Sequence, residues 1–410
     1  MTGVAAEAAV ITGLGVIAPT GATTDVYWKA TLAGECAIGR LQRYDPSGYP
    51  LALAGEVKGF DAEQLIESRL VVQTDRFTQF ALAAAELALQ DAGLDPADLP
   101  PFEIGVVTAS CAGGVEFGQQ EIEALWRQGS RFVGPYQSIA WFYAASTGQI
   151  SIRHGLKGPC GVLVTDEAGA LDAIAHARRD LRAGAVAMLA GGAEAPFAPF
   201  SMTCQYGTGL LSTATDPVQG YRPFTATAAG FVPAEGGAMV VLETAAAART
   251  RGLRGYAAVA GYGTTFTGGG GPAATAGGLV LAARQALAQA EIAPEEVDVV
   301  FADALGVPAA DQAEVAALRE LFGARAAQVP VTAAKAGTGR AYAGAAAIDV
   351  AAAALTVAHG VVPPTPNVSE LAYDLDLVIG EPRVLDARTA LIWARGLSGT
   401  NSALVIRACG

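Results

Sequence analysis

Residues Gly161–Gly192, GVLVTDEAGALDAIAHARRDLRAGAVAMLAGG, read in succession as strand, turn, helix and strand. Gly161–Thr165 is a short apolar run of the kind buried on both faces of a sheet. A helix follows from about Ala170 to Ala183, then the apolar strand Ala185–Leu189, stopped by Gly191-Gly192. Strands alternating with helices imply a mostly parallel sheet with helices on both faces.

The alternation extends outward from this stretch. Upstream, Ala8–Thr12 is a β-prone run ending in Gly13-Leu14-Gly15, and Ile104–Thr108 is a buried strand. Between them, Asp75–Ala92 carries apolar residues at helical spacing and closes at Gly93, a C′ glycine. Downstream, the strand Ala238–Glu243 leads to a seam near Ala245–Arg254. The second half repeats the order: helix Leu279–Glu291, strand Val297–Ala302, helices Gln312–Phe322 and Ala345–Val357, strands Ala390–Ala394 and Ala403–Arg407. Two similar halves, 1–250 and 251–410, are expected, although no repeat is visible in the residues themselves.

Composition narrows the function. Of 410 residues, 26 are Lys or Arg and 39 Asp or Glu, a net charge of −13, and only 16% are charged. The 52% hydrophobic content excludes intrinsic disorder. The sign of the charge argues against nucleic-acid binding. Five cysteines (Cys36, Cys111, Cys160, Cys204, Cys409) contain no C-x-x-C pair, which points to a reducing, cytoplasmic setting without disulfide framework or zinc site. Met1–Val10 has no signal-peptide pattern. The uncharged stretches Phe132–Ile152 and Gly255–Ala283 carry too much Pro, Gly, Ser, Thr and Gln for membrane spans; the first reads as buried in protein. Few charges over so long a chain also hint at surface hidden in a subunit interface.

Some motifs carry little. Gly13-Leu14-Gly15-Val16-Ile17-Ala18 loosely matches a dinucleotide fingerprint, but Pro19 follows and a helix starts only at about Asp25. The glycines do not open a helix, so the segment reads as a strand-to-loop turn. His154, His176 and His359 stand beside no nucleophile turn, and no G-x-S-x-G is present, so each reads as structural.

Other motifs form an ordered set: Ala9–Val16 (AVITGLGV), Tyr221-Arg222-Pro223-Phe224, Gly230–Ala238 (GFVPAEGGA) and Gly396–Ser402 (GLSGTNS). In this order and spacing they resemble the β-ketoacyl synthases of the thiolase fold, over essentially the whole chain. The resemblance implies a five-layer α-β-α-β-α architecture, each half holding a mixed five-stranded sheet. Such enzymes use a cysteine nucleophile, which carries the acyl chain as a thioester, and two histidines that support decarboxylation and the developing oxyanion. The matching positions here are Glu167, Asp303 and Arg340, with the family lysine kept as Lys335. A carboxylate cannot hold a thioester, and without imidazoles the proton chemistry loses its usual agents. No catalytic residue is therefore expected.

That pattern is similar to the chain-length factors, the ketosynthase β subunits of bacterial type II polyketide synthases. These pair with a catalytic ketosynthase α subunit and draw on acyl carrier protein bearing phosphopantetheine-tethered malonyl or polyketide groups. They usually carry glutamine where this chain has Glu167. An ionised Glu167 could only accept hydrogen bonds, and a neutral one requires a raised pKa. Arg340 could pair with Glu167, Asp303 or both, making the set structural.

The resemblance also assigns a chain-length gate. Gly113-Gly114 turns into a helix on which Val115, Gly118 and Ile122 share one face. In the family this face borders the polyketide tunnel at the dimer interface, and bulky residues there stop the chain. Gly118 implies an open gate and a deep floor, with Phe200 and Ser201 as a second stop; core packing is the plainer reading of Val115 and Ile122. Phe132, Tyr136, Trp141, Phe142 and Tyr143 suit the partner interface, with a core helix as the alternative. No metal or cofactor is implied. Two other functions fit the residues: a malonyl-carrier-protein decarboxylase supplying acetyl primers through Glu167, and a homodimeric, broken ketosynthase acting as a binding module.

Overall fold

The computed structural model describes residues 7–274 and 276–409. Met1–Ala6, most of the signal-peptide reading, and Thr275 in the glycine-rich stretch lie outside the described residues.

Ten strands carry the core: β1 Ala9–Ile17, β2 Ile104–Ala109, β3 Cys160–Leu163, β4 Ala187–Glu194, β5 Gly236–Thr244, β6 Ala257–Phe266, β7 Val299–Phe301, β8 Val331–Thr332, β9 Thr389–Arg395 and β10 Thr400–Ala408. They lie in the order β8-β7-β9-β10-β6-β1-β5-β4-β2-β3. At the centre, β6 and β1 meet only at Val10–Ala258 and Ile11–Ala257. The assembly is thus two five-stranded sheets joined at one edge, with orders β1-β5-β4-β2-β3 and β6-β10-β9-β7-β8. The two orders are the same path walked twice. In each sheet the two pairings nearest the join are antiparallel and the outer two are parallel. Alternation alone implied mostly parallel sheets; the strand that closes each half, β5 or β10, runs against both its neighbours and makes the pairings evenly mixed.

Eight helices build the outer and central layers and flank the site: α1 Arg76–Ala92, α2 Val115–Gln128, α3 Ala145–His154, α4 Gly169–Arg182, α5 Pro199–Tyr206, α6 Ala276–Gln289, α7 Pro308–Phe322 and α8 Ala343–His359. Helices α4 and α8 fill the space between the sheets, in one core with inward residues such as Val240, Leu242, Ile392 and Leu404. Sandwiched on both sides, α8 is buried from Ala343 to Val357. That explains its alanine-rich sequence, since a helix without a solvent face has no use for a polar stripe. Helix α1 covers the outer face of the first sheet through Val106, Leu189, Met239 and Val241. Helices α6 and α7 cover the second through Val300, Leu391, Trp393 and Val405. The layers are α-β-α-β-α. No helix among the described residues is long and apolar enough to cross a membrane.

Two glycine readings are corrected. Gly13 and Gly15 lie inside β1, not in a turn. A Cβ at Gly13 would stand 2.2 Å from the Ala88 carbonyl, and one at Gly15 1.9 Å from that of Ala84. The glycines let α1 press directly onto the strand. Likewise Gly191-Gly192 does not stop β4, which runs on to Glu194. A Cβ at Gly191 would meet the Ala238 carbonyl of neighbouring β5 at 2.0 Å.

The stretch Phe132–Ile152 is not one buried segment. It breaks into a turn at Ser130–Phe132, a short helix at Gln137–Ala140, and α3. Apart from Ala140, burial begins at Ala145, whereas Phe132, Ile139, Trp141 and Phe142 are each 41–50% exposed.

Candidate functional site

Glu167, Asp303 and Arg340 come from three distant segments and meet at the C-terminal ends of strands, where open α/β sheets place their sites. Glu167 lies in the single turn Asp166–Ala168 between β3 and the start of α4. Asp303 follows β7, and Arg340 links the helical turn Lys335–Thr338 to α8. Each segment holds one non-glycine residue in the left-handed region: Asp166 (φ 51°), Ala304 (φ 50°) and Tyr342 (φ 49°). Such backbone costs about 1–3 kcal/mol per residue and persists only where the surroundings dictate it.

The sequence landmarks supply those surroundings. Tyr221 Oη donates to the Ala304 carbonyl at 2.6 Å. The Arg340 amide donates to the Val232 carbonyl at 2.8 Å, and the Ala234 amide to the Arg340 carbonyl at 3.0 Å. From the loop after β9, the Leu397 amide donates to Glu167 Oε2 at 3.1 Å and the Ser398 amide to Asp166 Oδ2 at 3.0 Å. All three landmark loops converge on the positions where the expected triad is replaced.

Two of those positions hold ions. Arg340 Nη2 contacts Asp303 Oδ1 at 2.7 Å; no ion pair joins Arg340 to Glu167 among the described residues. Arg395, at the end of β9, binds the other Asp303 oxygen through Nε at 2.9 Å and Glu314 Oε2 through Nη2 at 2.7 Å. Glu314, on α7, also accepts the Asp303 amide at 2.8 Å, the Ala304 amide at 2.9 Å and Trp393 Nε1 at 2.7 Å. Two carboxylates thus face two guanidiniums, all at most 1% exposed. Burial pushes the Asp303 carboxyl up, but Arg340, Arg395 and Lys335 outweigh it and hold it well below the ordinary carboxylate range. Lys335 Nζ donates to the Ala302 carbonyl at 2.8 Å and pairs with Asp349 of α8. Arg395 and Glu314 were not singled out from the sequence. The only cue was a charged residue at the end of an apolar strand and another within a helix.

Glu167 differs from these ions. Burial pushes its carboxyl up to about 7, partly offset by Arg340. Near neutral pH a sizeable fraction is therefore protonated and able to donate a hydrogen bond, as an amide would. Below it, burial pushes Glu194 up to about 8. Cys111, not read as a site residue from the sequence, lies beside it, its amide donating to Glu194 Oε1. Burial, then Glu194 and Glu167, keep its thiol well above the ordinary value. That disfavours the thiolate, the reactive form.

The residues expected at the gate and interface lie elsewhere. In α2 the buried residue is Gly118, whereas Ile122 is 54% and Trp126 81% exposed. A Cβ at Gly118 would find Gln137 Nε2 and Trp141 Cβ, both at 3.8 Å, which is ordinary contact. Val115 is half-buried. On α5, Phe200 is 70% exposed and Ser201 is buried. Tyr136 and Tyr143 are half-buried beside the exposed Phe132, Trp141 and Phe142. Together, α2, α5 and the Phe132–Phe142 segment present large apolar side chains on the outside of the single chain.

Comparison with known proteins agrees with this geometry. Residues 6–248 match the beta-ketoacyl synthase N-terminal domain and residues 256–369 its C-terminal domain. The tetracenomycin polyketide synthase ketoacyl synthase beta subunit of Streptomyces glaucescens is 53% identical over 408 residues, covering 98% of each chain. Among solved structures, the ishigamide ketosynthase/chain length factor superposes with a TM-score of 0.92 at 26% identity, covering 98% of this chain and 99% of that one. A chain of a type II polyketide synthase acyl-carrier protein in complex with its ketosynthase bound to the hexaketide gives 0.89 at 28% identity, with the same coverage. This chain belongs to the beta-ketoacyl synthase family, on its ketosynthase-β, or chain-length-factor, branch.

Proposed function

We propose that this chain is the non-catalytic partner of a ketosynthase α subunit, completes a polyketide tunnel at their interface, and sets chain length in type II polyketide biosynthesis. One observation carries the reading. An intact ketosynthase frame holds a buried ion network and a carboxyl where a nucleophile and two imidazoles would stand. Such a frame is maintained for its shape and its surface.

Val115, Gly118 and Ile122 of α2, with Phe200 and Ser201 of α5, form the gate in this reading. Phe132, Tyr136, Trp141, Phe142 and Tyr143 dock the α subunit. Apolar exposure at α2, α5 and that segment supports both assignments, since large exposed patches mark interfaces. In this reading the chain divides into halves near residue 250, and the complex works in the cytoplasm. Carrier protein docks chiefly on the α subunit, because a net charge of −13 repels an acidic carrier.

The test is reconstitution of the complex with carrier protein and a malonyl donor. A one-to-one complex whose product length follows this subunit supports the reading; a homodimer that ignores the α subunit overturns it. With the α-subunit cysteine inactivated, robust malonyl decarboxylation that vanishes in Glu167→Ala would instead make the chain a decarboxylase.

A further inference from the structure

The two gate elements, α2 and α5, are far apart in sequence but joined by one side chain. Helix α5 opens with Ala198 at its N-cap and Pro199 at its first position, so no local side chain accepts the free amides of its first turn. Gln119 of α2 takes that role, its Oε1 accepting the Phe200 amide at 2.9 Å. The Gln119 amide is itself oriented by Nε2 donating to Glu123 Oε1 one turn on, at 3.0 Å. Gln119 directly follows Gly118, and Phe200 carries the exposed ring. The bond therefore ties the backbone that carries the ring to the turn of α2 that holds Gly118.

The base of α2 is anchored as well. Asp75 Oδ2 accepts the Phe117 amide at 2.8 Å while Oδ1 caps α1 at the Phe77 amide, at 3.1 Å. Arg43 pairs with Glu116 at 3.0 Å. With its first turn held, α2 is a fixed post, and Gln119 ties α5 to it.

We infer that Gln119 is a positioning residue for chain length: it locks the Phe200 element to the Gly118 face, so that one tunnel end, and one product length, is defined. The inference rests on the gate reading above. Without the lock, α5 lies at a range of distances from α2, and chains of more than one length are released. One hydrogen bond is worth enough to shift such a partition by roughly two- to tenfold.

The experiment uses the reconstituted heterodimer, with product lengths read by mass. Gln119→Met keeps the size and removes the acceptor. It is expected to broaden a single major length into a mixture, with heterodimer yield and total malonyl consumption unchanged. Gln119→Glu combined with Glu123→Gln restores an acceptor at the first position and its orienting donor at the second, and is expected to return the sharp distribution. A sharp parental distribution in Gln119→Met overturns the inference, as does a mixture that the double variant fails to sharpen. Gly118→Phe, run alongside, separates the two claims. If it shortens the product while Gln119→Met changes nothing, the lock fails and the gate stands; if neither changes the product, both fail.

Discussion

Glu167 shows how burial changes what one carboxyl can do. Its carboxyl titrates near 4.5 in the unfolded chain and near 7 when buried. Between those values the folded chain holds a proton that the unfolded chain has lost. The stability from this group therefore falls as pH rises from about 4.5 to about 7, and is level above. Glu167→Gln has no such titration, so its advantage over the parent should grow across that window to roughly 1–3 kcal/mol. Denaturant unfolding at pH 5 and 8 checks this; equal differences at both would contradict it. Asp303 is the opposite case, an ion held by two guanidiniums. Asp303→Asn leaves Arg340 and Arg395 buried without full compensation and should lose about 3–5 kcal/mol, read from the unfolding midpoint. The sequence located Glu167, Asp303 and Arg340 because the landmark loops around them keep their spacing. Arg395 and Glu314 were not legible, since nothing local marks a charge whose partner is 81 residues away.

At the scale of elements, the apolar runs marked where strands and helices lie but not where several of them end. Gly13, Gly15, Gly191 and Gly192 looked like punctuation because glycine so often ends a strand. Here each answers to a neighbouring element, and that neighbour is invisible in a short window. Gly15→Ala should force α1 off β1, since its Cβ would lie 1.9 Å from a backbone carbonyl that cannot swing aside. The expected loss is about 3 kcal/mol or more, seen as a lower melting temperature; an unchanged value would refute the close-packing account. The mixed sheet direction was similarly hidden. Alternating elements report a crossover, whereas the reversed β5 and β10 are set by contacts with the strand that opens each half.

For the whole molecule, low charge density has two destinations. Part is internal, in α8 and the central layer between two sheets. Part is external, notably on α2, α5 and the Phe132–Phe142 segment, where Trp126 and Phe200 stand 81% and 70% exposed. Composition suggested a hidden surface without locating it; in the fold, several large apolar side chains stand exposed on the elements around Gly118. That position is also well suited to a direct test, because a Cβ there meets its neighbours at ordinary contact distance. The decisive measurement is the mass of the polyketide made by the reconstituted heterodimer carrying Gly118→Phe. The account predicts a shorter chain from an intact heterodimer; an unchanged length from an equally intact heterodimer would contradict it.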